Sequence, residues 1–264
     1  MKSPLGPLAP LGGERFQRIA NVLYLGEVPS TNDVGRALVE RMVAEETDIL
    51  PTCIVAGRQT AGKGRSGRSW AAAGPGAVAV SLVTPWPEGP ERIHVPVATG
   101  ISLARSLSRA FGIELRLKWP NDLLAGGRKV AGILVEGRSL PEGAGNVVIG
   151  IGLNVAASRA DLDALDLPGA TSLELEGAVP AALEADAPLL AVLSAFDAFL
   201  GEEPFDLPSS FAGVTVHRPG DLLEVRDGDR VVSGRYAGLS KDGLLRLETA
   251  AGVSELISGD VTSF

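Results

Sequence analysis

The chain has 264 residues, 45% of them hydrophobic and 21% charged, with a net charge of −8 and a pI near 4.9. That composition supports one large domain or a large domain with a small appendage, and the acidic balance excludes a general nucleic-acid-binding surface, which needs clustered Lys and Arg. Cys53 is the only cysteine and His94 and His217 the only histidines, so neither an intrachain disulfide nor a Cys/His zinc site can be assembled.

Residues 1–15, broken by prolines and glycines, read as a flexible lead-in without the continuous apolar core of a signal peptide. No run approaches the length of a membrane span, so a soluble, cytoplasmic protein is expected. A short strand is expected over 22–25. Ser30-Thr31-Asn32 then places three N-cap residues ahead of Val34, Leu38 and Met42, which fall at helical spacing. Taken alone the triplet is a helix cap; a helix N-terminus with free hydroxyls and an amide also suits a polar ligand group. Residues 52–56 and the apolar run 77–83 read as strands, the second punctuated by Pro85 and Pro87. A helix is expected over 96–111, ended by Gly112. A strand over 115–118 runs into Lys118-Trp119-Pro120-Asn121-Asp122.

Residues 123–125 and 129–136 flank Gly126-Gly127-Arg128 as a hairpin. The strand over 147–155 contains Gly150 and Gly152, which suggests that a ligand or another backbone comes close there. Residues 156–187 read as irregular. Asp186 then caps a helix that has Pro188 just inside it and runs to Leu200. Residues 201–213 read as a linker. Short strands over 221–226, 230–239, 244–248 and 253–257, with turns at Asp227-Gly228-Asp229 and Lys241-Asp242-Gly243, read as a small β-barrel. The expected fold class is α+β, with residues 1–212 as the main domain and 213–264 as the barrel.

Residues 57–70 hold four cations and four glycines, and no carboxylate occurs from 51 to 87, a local reversal of sign in an acidic protein. Glycines permit close backbone approach, and Lys and Arg donate to phosphate or carboxylate. The stretch therefore reads as a loop that closes over an anion. Two nucleotide signatures overlap in it and both fail on context. Gly57-x4-Gly62-Lys63 is followed by Gly64 where a P-loop needs Ser or Thr. Gly62-x-Gly64-x-x-Gly67 leads towards Gly74-Pro75-Gly76 rather than into the helix that a dinucleotide fingerprint opens. Pro120 displays Asn121 and Asp122 on a turn, Lys129 begins an otherwise apolar strand, and Asn154 ends another. Singly, each is an ordinary turn, strand edge or solvated loop. No nucleophile elbow or Cys/His pair is present. Cations and amides around glycine-rich turns suit electrostatic catalysis of phosphoryl or nucleotidyl transfer.

Jointly, these segments resemble the biotin–protein ligases, in that family's order and over nearly the whole chain. Ser30-Thr31-Asn32 is similar to its Ser-Thr-Asn. The run from Gln59 through Gly62-Lys63-Gly64-Arg65-Ser66-Gly67-Arg68-Ser69-Trp70 resembles its Gln-x-x-Gly-Arg-Gly-Arg-x-Gly-Arg-x-Trp loop. Lys118-Trp119-Pro120-Asn121-Asp122 resembles its Lys-Trp-Pro-Asn-Asp. Lys129-Val130-Ala131-Gly132-Ile133-Leu134-Val135-Glu136 resembles its Lys-x-x-Gly-Ile-Leu-x-Glu, and Gly150-Ile151-Gly152-Leu153-Asn154 its Gly-x-Gly-x-Asn.

The resemblance implies a catalytic domain related to class II aminoacyl-tRNA synthetases, followed by an SH3-like barrel. It implies that biotin and ATP form biotinyl-5′-adenylate, and that a lysine of a biotin carboxyl carrier protein then takes the biotinyl group. Magnesium is expected with the ATP, its protein ligands unassigned; a homodimer is left open, and neither a nucleic-acid nor a membrane partner is expected. By the same resemblance, Ser30, Thr31, Asn32 and Gln59 would hold biotin, with Lys63, Gly64 and Gly132 beside it. Arg65 and Lys129 would meet the biotin carboxylate and phosphate oxygens. Arg68, Trp70, Lys118, Asn121 and Asn154 would form the ATP side, and Asp122 would orient or deprotonate the acceptor lysine. Lys63 departs from the family, which usually has arginine there; lysine keeps the charge without the planar fork. Some members carry an N-terminal helix-turn-helix and repress transcription. With about twenty residues ahead of the first strand, no operator binding is expected. The alternatives are a lipoate–protein ligase, disfavoured by the form of the loop, and a non-catalytic biotin-binding regulator, disfavoured by the intact Arg65, Arg68, Lys129 and Asn154.

Overall fold

A computed structural model describes residues 16–71, 74–86, 94–139, 145–179, 183, 186–201 and 206–263. The expected lead-in over 1–15 and the punctuating Pro87 lie outside the described residues.

Seven strands form one mixed sheet. β1 (Asn21–Val28) lies parallel to β2 (Thr52–Gln59), and α1 (Thr31–Ala44) connects them. The sheet continues antiparallel through β3 (Val78–Trp86), β7 (Gly145–Leu153), β6 (Arg128–Ser139), β5 (Asp122–Ala125) and β4 (Arg116–Lys118), giving the order β1-β2-β3-β7-β6-β5-β4. Side chains alternate between its faces with the period of two that a strand imposes. Cys53, Val55, Val80, Leu82, Ile149 and Ile151 join the main core, together with α2 (Val95–Phe111) and α4 (Ala187–Gly201). Ile54, Val83 and Val148 point the other way and pack with Val39 of α1. Gly112, with φ 68°, ends α2 in the left-handed conformation.

A second, wholly antiparallel sheet follows: β8 (Leu222–Asp227), β9 (Arg230–Leu239), β10 (Leu245–Thr249), β11 (Gly252–Leu256) and β12 (Asp260–Ser263), in the order β11-β10-β9-β8-β12. Its buried Leu223, Val225, Tyr236 and Leu245 belong to the same apolar cluster as the main sheet. The approach to it is tied to edge strand β4, where Leu117 N–H donates to Val214 O (2.7 Å) and Val216 N–H to Leu117 O (3.1 Å). The architecture is α+β, as expected. Among the described residues no helix is long and apolar enough to cross a membrane.

Several local expectations are corrected. β2 extends to Gln59, into the stretch read as loop, and β3 runs past Pro85, which faces Asn146 near the strand end. The 156–187 stretch is not wholly irregular: Ser158 and Asp161 form a capping box on α3 (Arg159–Ala164). The 201–213 stretch is not a bare linker, because Asp206 caps α5 (Leu207–Ala212), which buries Leu207 and Phe211. A fifth strand, β12, completes the second sheet.

Candidate active site

A cavity of about 240 Å³ opens on the α1 side of the main sheet. Its floor is β7, where two side chains are missing on one face. A Cβ at Gly150 would collide with the Asn32 amide, and one at Gly152 with the Trp70 indole. The glycines read as close-approach positions in the sequence are therefore where α1 and the central loop come down onto the sheet.

One end is polar and is built by the start of α1. Ser30, Thr31 and Asn32 are buried, and Ser30 makes no side-chain cap bond. Gln59, at the end of β2, accepts at Oε1 from Thr31 N–H (2.7 Å), with Thr31 Oγ1 3.1 Å away. Asn32 Nδ2 donates to Glu136 Oε2 at 2.7 Å. Ser81 Oγ, wholly buried in β3, lies 2.7 Å from Thr31 Oγ1 and 2.6 Å from Asn32 Oδ1.

The cationic loop forms the wall beside it. It is a small hairpin: Trp70 N–H donates to Gly62 O, Gly64 N–H to Arg68 O, and Lys63 bridges to Ser69. A single 3-10 turn, Arg65–Gly67, makes the tip. Lys63 turns to Asp33 of α1, which also takes Arg36. Partial burial opposes ionisation of Asp33, but those two cations win and hold its carboxyl below the usual value. Arg65 Nη1 donates to Asn121 Oδ1 (2.8 Å) and to Gly259 O (3.3 Å) and lies 3.4 Å from Asp260 Oδ1. Arg68 Nη2 meets Asp260 Oδ2 at 2.8 Å. Two arginines of the anion loop are thus held by one carboxylate from the second sheet.

The hairpin β5–β6 supplies the third wall. Asn121 Nδ2 donates to Ile133 O (2.9 Å), which fixes the amide that meets Arg65. Lys129 Nζ lies 2.6 Å from Asp122 Oδ1 and 5.7 Å from the centre of the Trp70 ring, within cation–π range. Asn154, which lines the cavity, donates from Nδ2 to Thr171 O (3.0 Å), while its buried Oδ1 has no hydrogen-bond partner among the described residues. Among the described residues no three His, Cys, Asp or Glu side chains gather as a metal site.

The structure brings together Ser30, Thr31, Asn32, Gln59, Lys63, Gly64, Arg65, Arg68, Trp70, Asn121, Asp122, Lys129, Gly132 and Asn154 around this one cavity. Lys118 is the exception: it does not line the cavity, and burial lowers its pKa against the opposing pull of Asp122 and Asp260. Four contributions were not legible beforehand. Ser81 sits in a stretch that reads as apolar, and Glu136 ends a motif that implies no role for it. Leu167 and Ala170 close the cavity from the stretch read as irregular. Asp260 reaches the loop only through tertiary structure.

Comparison with known proteins agrees with this geometry. Residues 28–154 match the Biotin/lipoate A/B protein ligase family, and residues 224–262 match the Biotin protein ligase C terminal domain. The bifunctional ligase/repressor BirA of Bacillus subtilis is 26% identical over 249 residues, 91% of this chain and 73% of that protein. The biotin–[acetyl-CoA-carboxylase] ligase of Mycobacterium tuberculosis is 36% identical over 160 residues, 56% of this chain and 54% of its own length. The solved structure of the Aquifex aeolicus biotin protein ligase in complex with biotin and ATP superposes with a TM-score of 0.68 at 27% identity, covering 92% of this chain and 97% of that one. The chain is a ligase that pairs a catalytic domain of the biotin/lipoate A/B protein ligase family with the C-terminal domain of the biotin protein ligases.

Proposed function

We propose that this protein joins biotin to a lysine of a biotin carboxyl carrier protein in two half-reactions, the first consuming ATP, on a catalytic part reaching to residue 212 with the barrel from 213 onward. The observation that carries this is the cavity itself, which puts a neutral hydrogen-bonding end beside a cationic wall. Ser30, Thr31, Asn32 and Gln59 suit the ureido ring of biotin, with Lys63, Gly64 and Gly132 around the ligand. The dithiolane of lipoate offers this polar end no hydrogen-bonding group, and each polar atom it left unmatched would cost roughly 1–3 kcal/mol. The relatives named as biotin ligases, and the A. aeolicus ligase solved with biotin and ATP, support the same choice.

In the first step a biotin carboxylate oxygen bonds to the α-phosphorus of ATP and pyrophosphate leaves. Arg65 and Lys129, cations already set at the cavity, neutralise the charge that spreads over the phosphoryl oxygens. Arg68 holds the departing phosphates. Trp70 and Asn121 shape the adenylate site, and the unpartnered Asn154 Oδ1 suits the adenine amino group. In the second step the acceptor lysine nitrogen bonds to the acyl carbon, AMP leaves, and the ammonium proton passes to Asp122. That lysine has an ordinary pKa near 10.4, so a nearby carboxylate lowers a real barrier at neutral pH.

Asp122, which lines the cavity, is paired with Lys129, and Asp260, against the cationic loop, with Arg65 and Arg68. Among the described residues no cluster of carboxylates stands ready as a magnesium site, and the ion would arrive with the nucleotide phosphates.

The test is biotin-dependent exchange of labelled pyrophosphate into ATP, with lipoate in parallel. Exchange with biotin alone is expected. Exchange with lipoate alone would replace the substrate, and no exchange with either would remove the catalytic reading.

A further inference from the structure

Ser81 is a hydroxyl within the apolar run of β3, between Val80 and Leu82, all three wholly buried. A hydroxyl in such a place costs stability unless its hydrogen bonds are made. Both of its bonds go to residues of the cavity's polar end, Thr31 and Asn32. Ser81 itself does not line the cavity. The register explains the reach: Ser81 faces Gly150 across the β3–β7 ladder, and the missing side chain there admits the Asn32 amide.

Counting protons assigns a direction to each bond. Asn32 Nδ2 lies 2.7 Å from Glu136 Oε2. A carboxylate only accepts, so this contact fixes the amide and leaves Oδ1 facing Ser81. Oδ1 also only accepts, so the 2.6 Å contact uses the single proton of Ser81. The 2.7 Å contact between Ser81 and Thr31 must then be donated by Thr31. Gln59 Oε1 is already supplied by the Thr31 N–H at 2.7 Å. With its proton turned inward, the Thr31 hydroxyl has only lone pairs left for the cavity.

We propose that Ser81 is a positioning residue that fixes Thr31 as an acceptor for a ligand N–H and locks the Asn32 amide beside it. This rests on the reading of that end as the ureido site, since a cyclic urea presents N–H groups of the kind a fixed acceptor selects. Without Ser81 the Thr31 proton is free to swing to Gln59 or towards the ligand, and Asn32 Oδ1 loses its donor.

The experiment is calorimetric titration of biotin into wild type, Ser81→Ala and Ser81→Cys, with the KM for ATP measured by pyrophosphate exchange and folding followed by thermal melts. Removing the donor is expected to raise the biotin Kd about tenfold, the effect of one well-placed hydrogen bond. The KM for ATP should stay within about twofold of wild type. Ser81→Cys, a weak donor of similar size, should fall between, and it carries the comparison if the alanine variant does not fold. Equal biotin affinity in wild type and variant overturns the proposal. So does an equal rise in the biotin Kd and the KM for ATP, which would mark general damage to the fold. A wild type that binds no biotin overturns the ureido reading as well, and no comparison of variants could produce that result.

Discussion

Asp260 Oδ2 meets Arg68 Nη2 at 2.8 Å, across 192 residues of chain. The same carboxylate lies 3.4 Å from Arg65 Nη1. A negative charge from β12 therefore occupies the guanidinium groups that the proposed mechanism assigns to ATP. The triphosphate meets a carboxylate already in place, and the two repel. The Arg68–Asp260 pair is solvent-exposed, so as a structural tie it contributes little, about 0–1 kcal/mol. Arg65 keeps Asn121 and Gly259 as partners without it. Repulsion is thus the larger effect, and Asp260→Asn should lower the KM for ATP by about two- to fivefold, more at low ionic strength. A raised KM in pyrophosphate exchange would instead make Asp260 a support for the loop.

Lys129 and Asp122 form an ion pair at 2.6 Å, although the two half-reactions assign them different tasks. Lys129→Met should slow adenylate formation by about 10²–10³-fold, the cost of one preorganised charge. Asp122→Asn should leave that step within a few-fold while slowing transfer from preformed adenylate to carrier lysine by about 10²-fold or more. Single-turnover assays of each half-reaction separate the two. An unchanged transfer rate in a folded Asp122→Asn protein would remove the base assignment.

Gly152 makes room for the Trp70 indole. Gly152→Ala keeps the strand but pushes Trp70 out of place, an overpacking cost of about 1–3 kcal/mol. The KM for ATP should rise about tenfold or more, with the biotin Kd less affected because the polar end lies at Gly150. Paired kinetics and calorimetry test this, and an unchanged KM would show that Trp70 does not shape the nucleotide side.

His217 is buried against Tyr236, their ring centres 5.5 Å apart. Burial, reinforced by Lys118, lowers its pKa to about 4. The unfolded chain takes up the proton near pH 6.5, whereas the native protein resists it until about pH 4. This histidine therefore costs nothing above pH 6.5, and stability falls as pH drops from about 6.5 to 4, by up to about 3 kcal/mol at about 1.4 kcal/mol per unit. Urea unfolding at pH 7, 5.5 and 4.5 should show a shallower loss for His217→Gln than for wild type. Parallel losses in the two proteins would contradict the shift.

The α+β class, the main strands and most of the cavity lining were legible because their signals are local. Alternation marks a strand, a proline-bearing turn displays Asn121 and Asp122, and the cations of the central loop stand in a stretch without carboxylates. The capping signals of α3 and α5 were also present, as Ser158 with Asp161 and Asp206 with Pro208, but each helix is only six residues long and has little apolar periodicity. Ser81 was illegible for another reason: one serine in an apolar run looks like tolerated polarity until the partners of its hydroxyl are known. Asp260 had no local signal at all, and Lys118 shared a motif with Asn121 and Asp122 yet does not line the cavity.

The missing side chains of β7 have a thermodynamic consequence. Where Val148 fills the α1 side of the sheet with hydrocarbon, Gly150 and Gly152, two and four residues further on, let Asn32 and Trp70 come down onto the sheet and line the cavity with them. The substrates proposed for this cavity would complete the interior as well as react in it. A ligand that binds only the folded chain adds RT ln(1 + [L]/Kd), about 2.7 kcal/mol at a hundredfold excess over Kd. The resistance of this protein to heat and to proteases should therefore track the supply of its own substrates, the unliganded fold being the one that turns over first.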